Sequence, residues 1–593
     1  MVRTVAIAVL LLLLCAASAS GAPATSRRAF SSASAKSTSP KTVTKTVTAT
    51  TTTVTNPEAP VPVEASDTPP IGRQLSSNRA LDIADALPKM RAVRARYRGS
   101  YGGAYLKGPG RWQVSYFSKK GQEIGQVIIA DHNGKVLEQW TGFQIAWSMA
   151  RGYPGAFGRH VNAIYIWIPL CILFFAPFFD WRKPLRLLHL DLLVLLSFSV
   201  SLAYFNHGRI YTSTPLVYPP LLYLLVRMLA LARVGSRNPL GSRESRKLKL
   251  LVPTPLLAIG VVFLIGFRVG LNVADSNVID VGYAGVIGAQ RVVDGKALYG
   301  GYPSDNERGD TYGPVNYEAY VPFEQLFGWS GHWDDLPAAH AAAIVFDLLA
   351  VALLFLLGRR VRGPALGIAL AYAWVSYPFT LFALESNSND SLVAVLVLAA
   401  VLATTSAPAR GMFAALAGLT KFAPLALAPL LCTYGFPEMT ISRRLRSVAL
   451  FTGAFGLTAA VVMVPAFTHD SLHTFYERTF AYQANRESPF SIWGLYGSSS
   501  ILKVGQMVVQ ATAVALAVVV AFLPRRPGPA GLAAVAAAVL IAVQLGIDHW
   551  FYLYIPWFFG LTMLALLAQF SWSPLPAPDA PSGSARSSRL AAV

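Results

Sequence analysis

Cysteine is nearly absent, with three in 593 residues. Cys15 falls in an apolar leader, and Cys171 and Cys432 fall in long apolar runs, so neither a disulfide framework nor a thiolate metal cluster can be assembled. Charge is also scarce: only 13% of residues are Asp, Glu, Lys or Arg, about half the share of an ordinary soluble domain. Acids are scarcer than bases, leaving a net charge of +20. That excess does not point to nucleic acid. The Lys and Arg residues cluster in short loops between apolar runs, where they set membrane orientation. No inverted internal repeat of the kind transporters carry is visible. What fills the space is apolar: 54% of the chain is hydrophobic, in many runs of roughly 20 residues. Over such lengths in lipid only helices satisfy their own backbone, so the chain reads as a polytopic membrane protein.

Residues 1–22 have an early Arg3, an apolar run and small residues at Ala17, Ser18 and Ala19, the pattern of a secretory signal peptide. Residues 23–75, rich in Ala, Ser, Thr and Pro, read as a disordered tether. Residues 76–142 read as a folded extracytoplasmic α+β domain. Helical periodicity runs over 78–98, strands are predicted at 111–117, 123–129 and 136–141, and Asn133-Gly134 marks a hairpin turn. With its GKVLEQWTGFQIAW ending, this segment resembles a PepSY-type domain, which implies a regulatory or protein-binding role and a protein partner. Residues 143–157 read as an interfacial helix that, with three accessory spans, fills 143–232. Residues 233–249 form a basic cytoplasmic linker, 250–570 a transmembrane core and 571–593 a cytoplasmic tail.

The positive-inside rule creates one conflict. As a single span, 412–434 would carry Arg443, Arg444 and Arg446 to the outer face. If the run doubles back at Thr420-Lys421-Phe422-Ala423-Pro424, both ends stay cytoplasmic. Broken helices of this kind line cavities. The predicted fold is thus an all-α polytopic membrane protein of about eleven spans plus one re-entrant helix pair, with the small α+β domain attached.

The longest polar interruption is 272–337. It carries ten acids, including Asp280, Asp305, Asp310 and Glu318, among many Tyr and Trp residues. Carboxylates can deprotonate a hydroxyl, and flat rings stack on sugar faces. The topology places this loop extracytoplasmic, beside Glu385 to Asp390, Lys421, the segment with Arg478 and Arg486, and Asp548-His549. The set suits transfer chemistry on a lipid-linked substrate. It would also suit a non-enzymatic transporter or an envelope sensor.

The stretches IDVGYAGVIGAQRVVDGKALYGGYP and DTYGPVNYEAYVPF resemble the first outer loop of the GT-C glycosyltransferases. More narrowly, they are similar to that of the polyprenyl-phosphate-mannose-dependent mannosyltransferases. GLTKFAPLALAPLL resembles the family's broken helix, NRESPFSIWGL a later outer loop and DHWFYLYIPW the last outer turn, although His549-Trp550 stands where the family often has Trp-x-His. The resemblance covers about Leu250 to Gln569.

It implies an inverting transfer of mannose, or another hexose or a pentose, from a polyprenyl phosphate to a cell-envelope glycan or glycolipid. The implied setting is the extracytoplasmic face of a bacterial plasma membrane. Asp280 would be the general base. Lys421, Arg478 and Arg486 would hold the donor phosphate, and Tyr283, Tyr299, Tyr312, Asn389, Asp390 and His549 would contact substrate. No cofactor is identified. A divalent cation is compatible with the acid-rich loop, though no His/Cys spacing demands one.

Overall fold

The computed structural model describes residues 60–152, 157–237, 248, 250–333, 336–486, 488–497, 499–523, 528–570 and 572. The leader, most of the tether, nearly all of the basic linker, nearly all of the tail, and Asp334, Asp335 and Glu487 lie outside them. The chain divides into two compact units, one within 22–152 and one over 153–593.

The amino-terminal unit is an antiparallel meander of five strands, β1 (Val61–Val63), β2 (Tyr101–Leu106), β3 (Arg111–Phe117), β4 (Glu123–Ala130) and β5 (Val136–Thr141), in sequential order. Ala80, Ala84 and Met90, on the two helices, pack with Trp112, Val114, Tyr116, Val127 and Ile129 of the sheet. Three expectations change here. The helix read over 78–98 is two, Ser77–Asp85 and Pro88–Arg96, because Leu87 precedes a proline and takes an extended conformation (ψ 128°). The stretch read as tether contains β1, which pairs with β2 from Val61 opposite Leu106 to Val63 opposite Ala104. Residues 143–151 form two short turns, not one interfacial helix. They fold onto their own unit, with Arg151 Nη2 donating to Gln126 Oε1 at 3.0 Å.

The second unit is helical. Seven helices are long and apolar enough to cross a membrane: 187–206, 210–233, 254–275, 337–362, 441–469, 500–520 and 529–546. The pair 364–376 and 378–385, bent by 58°, is an eighth when counted as one broken span. The other three predicted spans correspond to shorter apolar helices, 164–178, 390–402 and 552–567. At 1.5 Å per residue these reach roughly 20–24 Å, short of a hydrocarbon core of about 30 Å. Helix 390–402 is buried along its whole length, and 529–546 nearly so. The outer helices instead show apolar side chains such as Val262, Phe263, Leu457 and Val514, as a lipid-facing surface requires.

Two ion pairs brace the bundle away from the outer loops. Arg268 Nη2 lies 2.5 Å from Asp347 Oδ1, which also accepts from the Trp374 indole at 2.8 Å. This joins 254–275, 337–362 and 364–376 and gives the two intramembrane charges a structural explanation. Arg227 and Asp191 pair at 2.9 Å between two accessory helices.

The run 412–434 doubles back. Helix 407–420 ends at Thr420, Lys421 is extended (φ −138°, ψ 139°), and a tight turn at 423–427 leads to helix 428–433. Arg410, near the start of the first arm, donates through Nε to the Leu431 carbonyl at 2.8 Å, and its guanidinium lies 5.7 Å from the Tyr434 ring. The two ends of the hairpin therefore meet.

Candidate active site

Asp280 opens a helix, 280–293, within the acid-rich loop. Its position is fixed from behind. Asn277 and Ile279 donate backbone N–H groups to Glu385 and Ser386 carbonyls at 3.1 and 3.2 Å. Asn387, in the left-handed region (φ 47°), donates through its amide to Ser276 Oγ at 2.9 Å and to the Asn277 carbonyl at 3.0 Å. Asn272 reaches Asn387 Oδ1 at 2.9 Å. Gly282 is required by this contact: a Cβ there would lie 2.2 Å from the Asn387 carbonyl oxygen. Asn306 closes the other side, donating to the Asp280 carbonyl at 2.9 Å.

The loop reaches the hairpin through Gly313, where a Cβ would lie 1.9 Å from the Leu419 carbonyl oxygen. That close approach sets Tyr312 beside Lys421. The Lys421 ammonium lies 5.5 Å from the Tyr312 ring, 5.2 Å from Tyr554 and 5.2 Å from Trp557. Asp390, the first residue of the buried helix 390–402, accepts from Lys421 Nζ at 2.6 Å and from the Trp557 indole at 2.8 Å, both through Oδ1. The hairpin tip thus holds a caged, paired cation.

In front of this cage is a cavity of about 390 Å³ lined by Tyr312, Lys421, Arg486, Asp548, His549, Tyr554 and Trp557, with Phe422 and Phe480 on its apolar side. His549 Nδ1 lies 2.9 Å from Ser488 Oγ. Burial, reinforced by Arg486 and Lys421, holds the His549 imidazole well below its usual pKa, so it is neutral at pH 7. Asp280 is exposed and, like Arg478, is not among the residues that line this cavity. Desolvation raises its pKa, while Arg486 and then Lys421 oppose that rise.

Many of the loop's other acids have local partners. Asp275 meets Arg159 and His160, Asp294 pairs with Lys296 at 2.8 Å, and Asp305 accepts from Tyr283 at 3.3 Å. Glu318 is half-buried and pushed up to about 8 by desolvation, hence mostly protonated at pH 7.

Not every predicted residue reaches the cavity. Arg478 is absent from its lining. It binds Asp310 Oδ2 at 2.6 Å, and Asp310 also accepts the Gly300 N–H at 2.6 Å, so Arg478 anchors the loop. Tyr299 donates to the Tyr312 carbonyl at 3.0 Å, and Tyr283 stacks on Trp333 at 4.9 Å; both scaffold the loop. Asn389 is buried against Asn316. Conversely, Trp557, Tyr554, Phe480 and Asn387 are site or support residues that the sequence reading did not single out. Of these, only the Asn-rich stretch before Asp390 offered a signal. Among the described residues, no three His, Cys, Asp or Glu side chains gather as a metal site.

Residues 311–553, less than half of the chain, match the model of Glycosyltransferase family 87. The matched range contains Tyr312, Asp390, Lys421, Arg486 and His549 and begins after Asp280. No curated protein matches the chain. The family match, on a helical chain with long apolar spans, supports a membrane glycosyltransferase.

Proposed function

We propose that the chain transfers a sugar, mannose or another hexose or pentose, from a polyprenyl phosphate to a cell-envelope glycan or glycolipid on the outer face of the plasma membrane. The observation that supports this reading is a pair of cations at one crevice, with an exposed carboxylate within their electrostatic reach. Arg486 and Lys421 line a crevice that also has an apolar wall, and Asp280, outside that lining, is near enough for both cations to oppose the rise in its pKa.

In the proposed step an acceptor hydroxyl attacks the anomeric carbon and gives its proton to the Asp280 carboxylate. The bond from that carbon to the phosphate oxygen breaks, and the electron pair leaves with the polyprenyl phosphate. One base and a single displacement give inversion. A positioned base typically contributes about 10²- to 10⁴-fold. Arg486 lines the cavity, and its planar guanidinium suits a phosphate; Lys421 pairs with Asp390. Lys421 adds field from behind. A neutral His549 and the ring of Tyr312 suit sugar hydroxyls and a sugar face.

The amino-terminal unit fits a non-catalytic, partner-binding module of PepSY-like type. Two of its polar clusters are used internally: Asp131 accepts from the Trp112 indole at 2.9 Å and from the Gln74 and Leu75 N–H groups, and Asp85 accepts from Tyr116.

The test is transfer of label from radiolabelled polyprenyl-phosphate mannose to a membrane glycolipid extract by the purified full chain. Asp280→Asn should abolish transfer without loss of folding. Unchanged transfer by that variant removes Asp280 as base, and failure with every lipid-phosphate sugar removes the donor class.

A further inference from the structure

A second, larger cavity, of about 1150 Å³, lies at the other end of the hairpin. Its walls come from the turn before helix 407–420, the segment after the hairpin and the start of helix 441–469. That helix has 29 residues, so its ends lie roughly 40 Å apart. Its far end leads to Asp470, which holds the acid-rich loop through the Leu298 N–H at 2.7 Å. The two cavities therefore occupy opposite ends of the same helices.

Three arginines, Arg410, Arg443 and Arg446, face this cavity against one acid, Glu438. Surface arginines at a helix start would need no ligand to explain them. Two buried groups do. Arg410 is 2% exposed, and among the described residues its Nη2 has no hydrogen-bond partner, although Nε binds the Leu431 carbonyl and Nη1 the Thr404 carbonyl. Ser447, 6% exposed and also lining the cavity, has a hydroxyl with no partner among the described residues. A buried guanidinium nitrogen and a buried hydroxyl left unmade are costly. Both are donors, and a multi-oxygen anion would satisfy them together. Pro408, Met439 and the exposed Leu450 form an apolar part of the lining.

We propose that this cavity is a binding site for a phosphate-bearing anion, with Arg410 and Ser447 as its floor and Arg443 and Arg446 as its mouth. The apolar lining suits a phospholipid whose headgroup enters while its chains remain along the helix. The site is independent of the donor assignment, because it shares no residue with the first cavity.

The experiment uses the full chain equilibrated with vesicles of phosphatidylcholine alone or mixed with phosphatidylglycerol. Retained lipid is counted by native mass spectrometry, with and without inorganic phosphate as competitor. The wild type should retain the anionic lipid selectively. Arg443→Gln with Arg446→Gln should weaken that retention by about tenfold, as loss of charge-assisted contacts implies, with an unchanged thermal midpoint. Ser447→Ala, which keeps both charges, should weaken it less. Displacement by inorganic phosphate would identify the soluble anion as the ligand, and resistance to it the lipid headgroup. Equal retention of both lipids without phosphate binding, or wild-type retention by the double variant, overturns the proposal.

Discussion

Replacing Lys421 by Met leaves Asp390 without its cation at a site where the two side chains are 8% and 1% exposed. The pair is closed at 2.6 Å, and among the described residues only the Trp557 indole at 2.8 Å remains for the carboxylate. Removing one member of such a buried pair costs about 3–5 kcal/mol, because the other charge stays desolvated. The reverse change, Asp390→Asn, is different. The amide oxygen can still accept from Lys421 and Trp557, and three ring faces within 5.5 Å still attract the ammonium. At about 0.5–2 kcal/mol per cation–π contact, the loss should be no more than about 2 kcal/mol. Thermal unfolding of the two single variants and the double variant in detergent, followed by tryptophan fluorescence, measures the cycle. Lys421→Met should be clearly the worse single change, and the double variant better than the sum of the two. Equal costs, or strict additivity, would refute the view of a caged pair whose aromatic walls share the charge.

Four further outcomes follow from the geometry. Gly282→Ala should cost about 1–3 kcal/mol by overpacking against the Asn387 carbonyl, and should lower transfer more than stability because it moves Asp280; initial rates and melting curves on the same preparation separate the two. Transfer should fall as pH drops through a midpoint above that of an ordinary aspartate, since desolvation raises the Asp280 pKa and only the carboxylate can accept a proton; a pH–rate profile reads this directly. In the amino-terminal unit, burial would raise the Asp131 pKa, but hydrogen bonds from Leu75, Gln74 and Trp112 outweigh it and leave it lowered. The stability it supplies is therefore complete above the usual aspartate pKa of about 4 and lost below it, and hydrogen exchange around Trp112 in the full chain should quicken there. Arg478→Ala should loosen the acid-rich loop by stranding Asp310, with a larger rise in KM than fall in kcat, because Arg478 lies outside the cavity lining.

How legible these features were depended on how local their causes are. The doubled-back hairpin could be read because three arginines beyond it forced a choice of side, and because Lys421-Phe-Ala-Pro424 breaks a helix within a few residues. Strands β3 and β5 carried their own signals. β2 did not: Gly102 and Gly103 are poor strand formers, and only pairing with β3 makes them one. Asp280 stood out by position in the loop. Asn387, which helps to seat it, lies more than a hundred positions away, and Trp557, which holds Asp390, lies further still. Arg478 and Arg486 sit eight positions apart in the same segment with the same chemistry. Nothing in the sequence says that the first is consumed by Asp310 and the second reaches the cavity.

The central claim is that Asp280 and Arg486 bracket the bond that breaks. A structure of the full chain with a non-cleavable polyprenyl-phosphonate sugar measures this directly. The account predicts the phosphonate on Arg486 and the anomeric carbon within about 6 Å of the Asp280 carboxylate, room for one acceptor oxygen between them. A sugar bound elsewhere, with Asp280 facing only water, would contradict it.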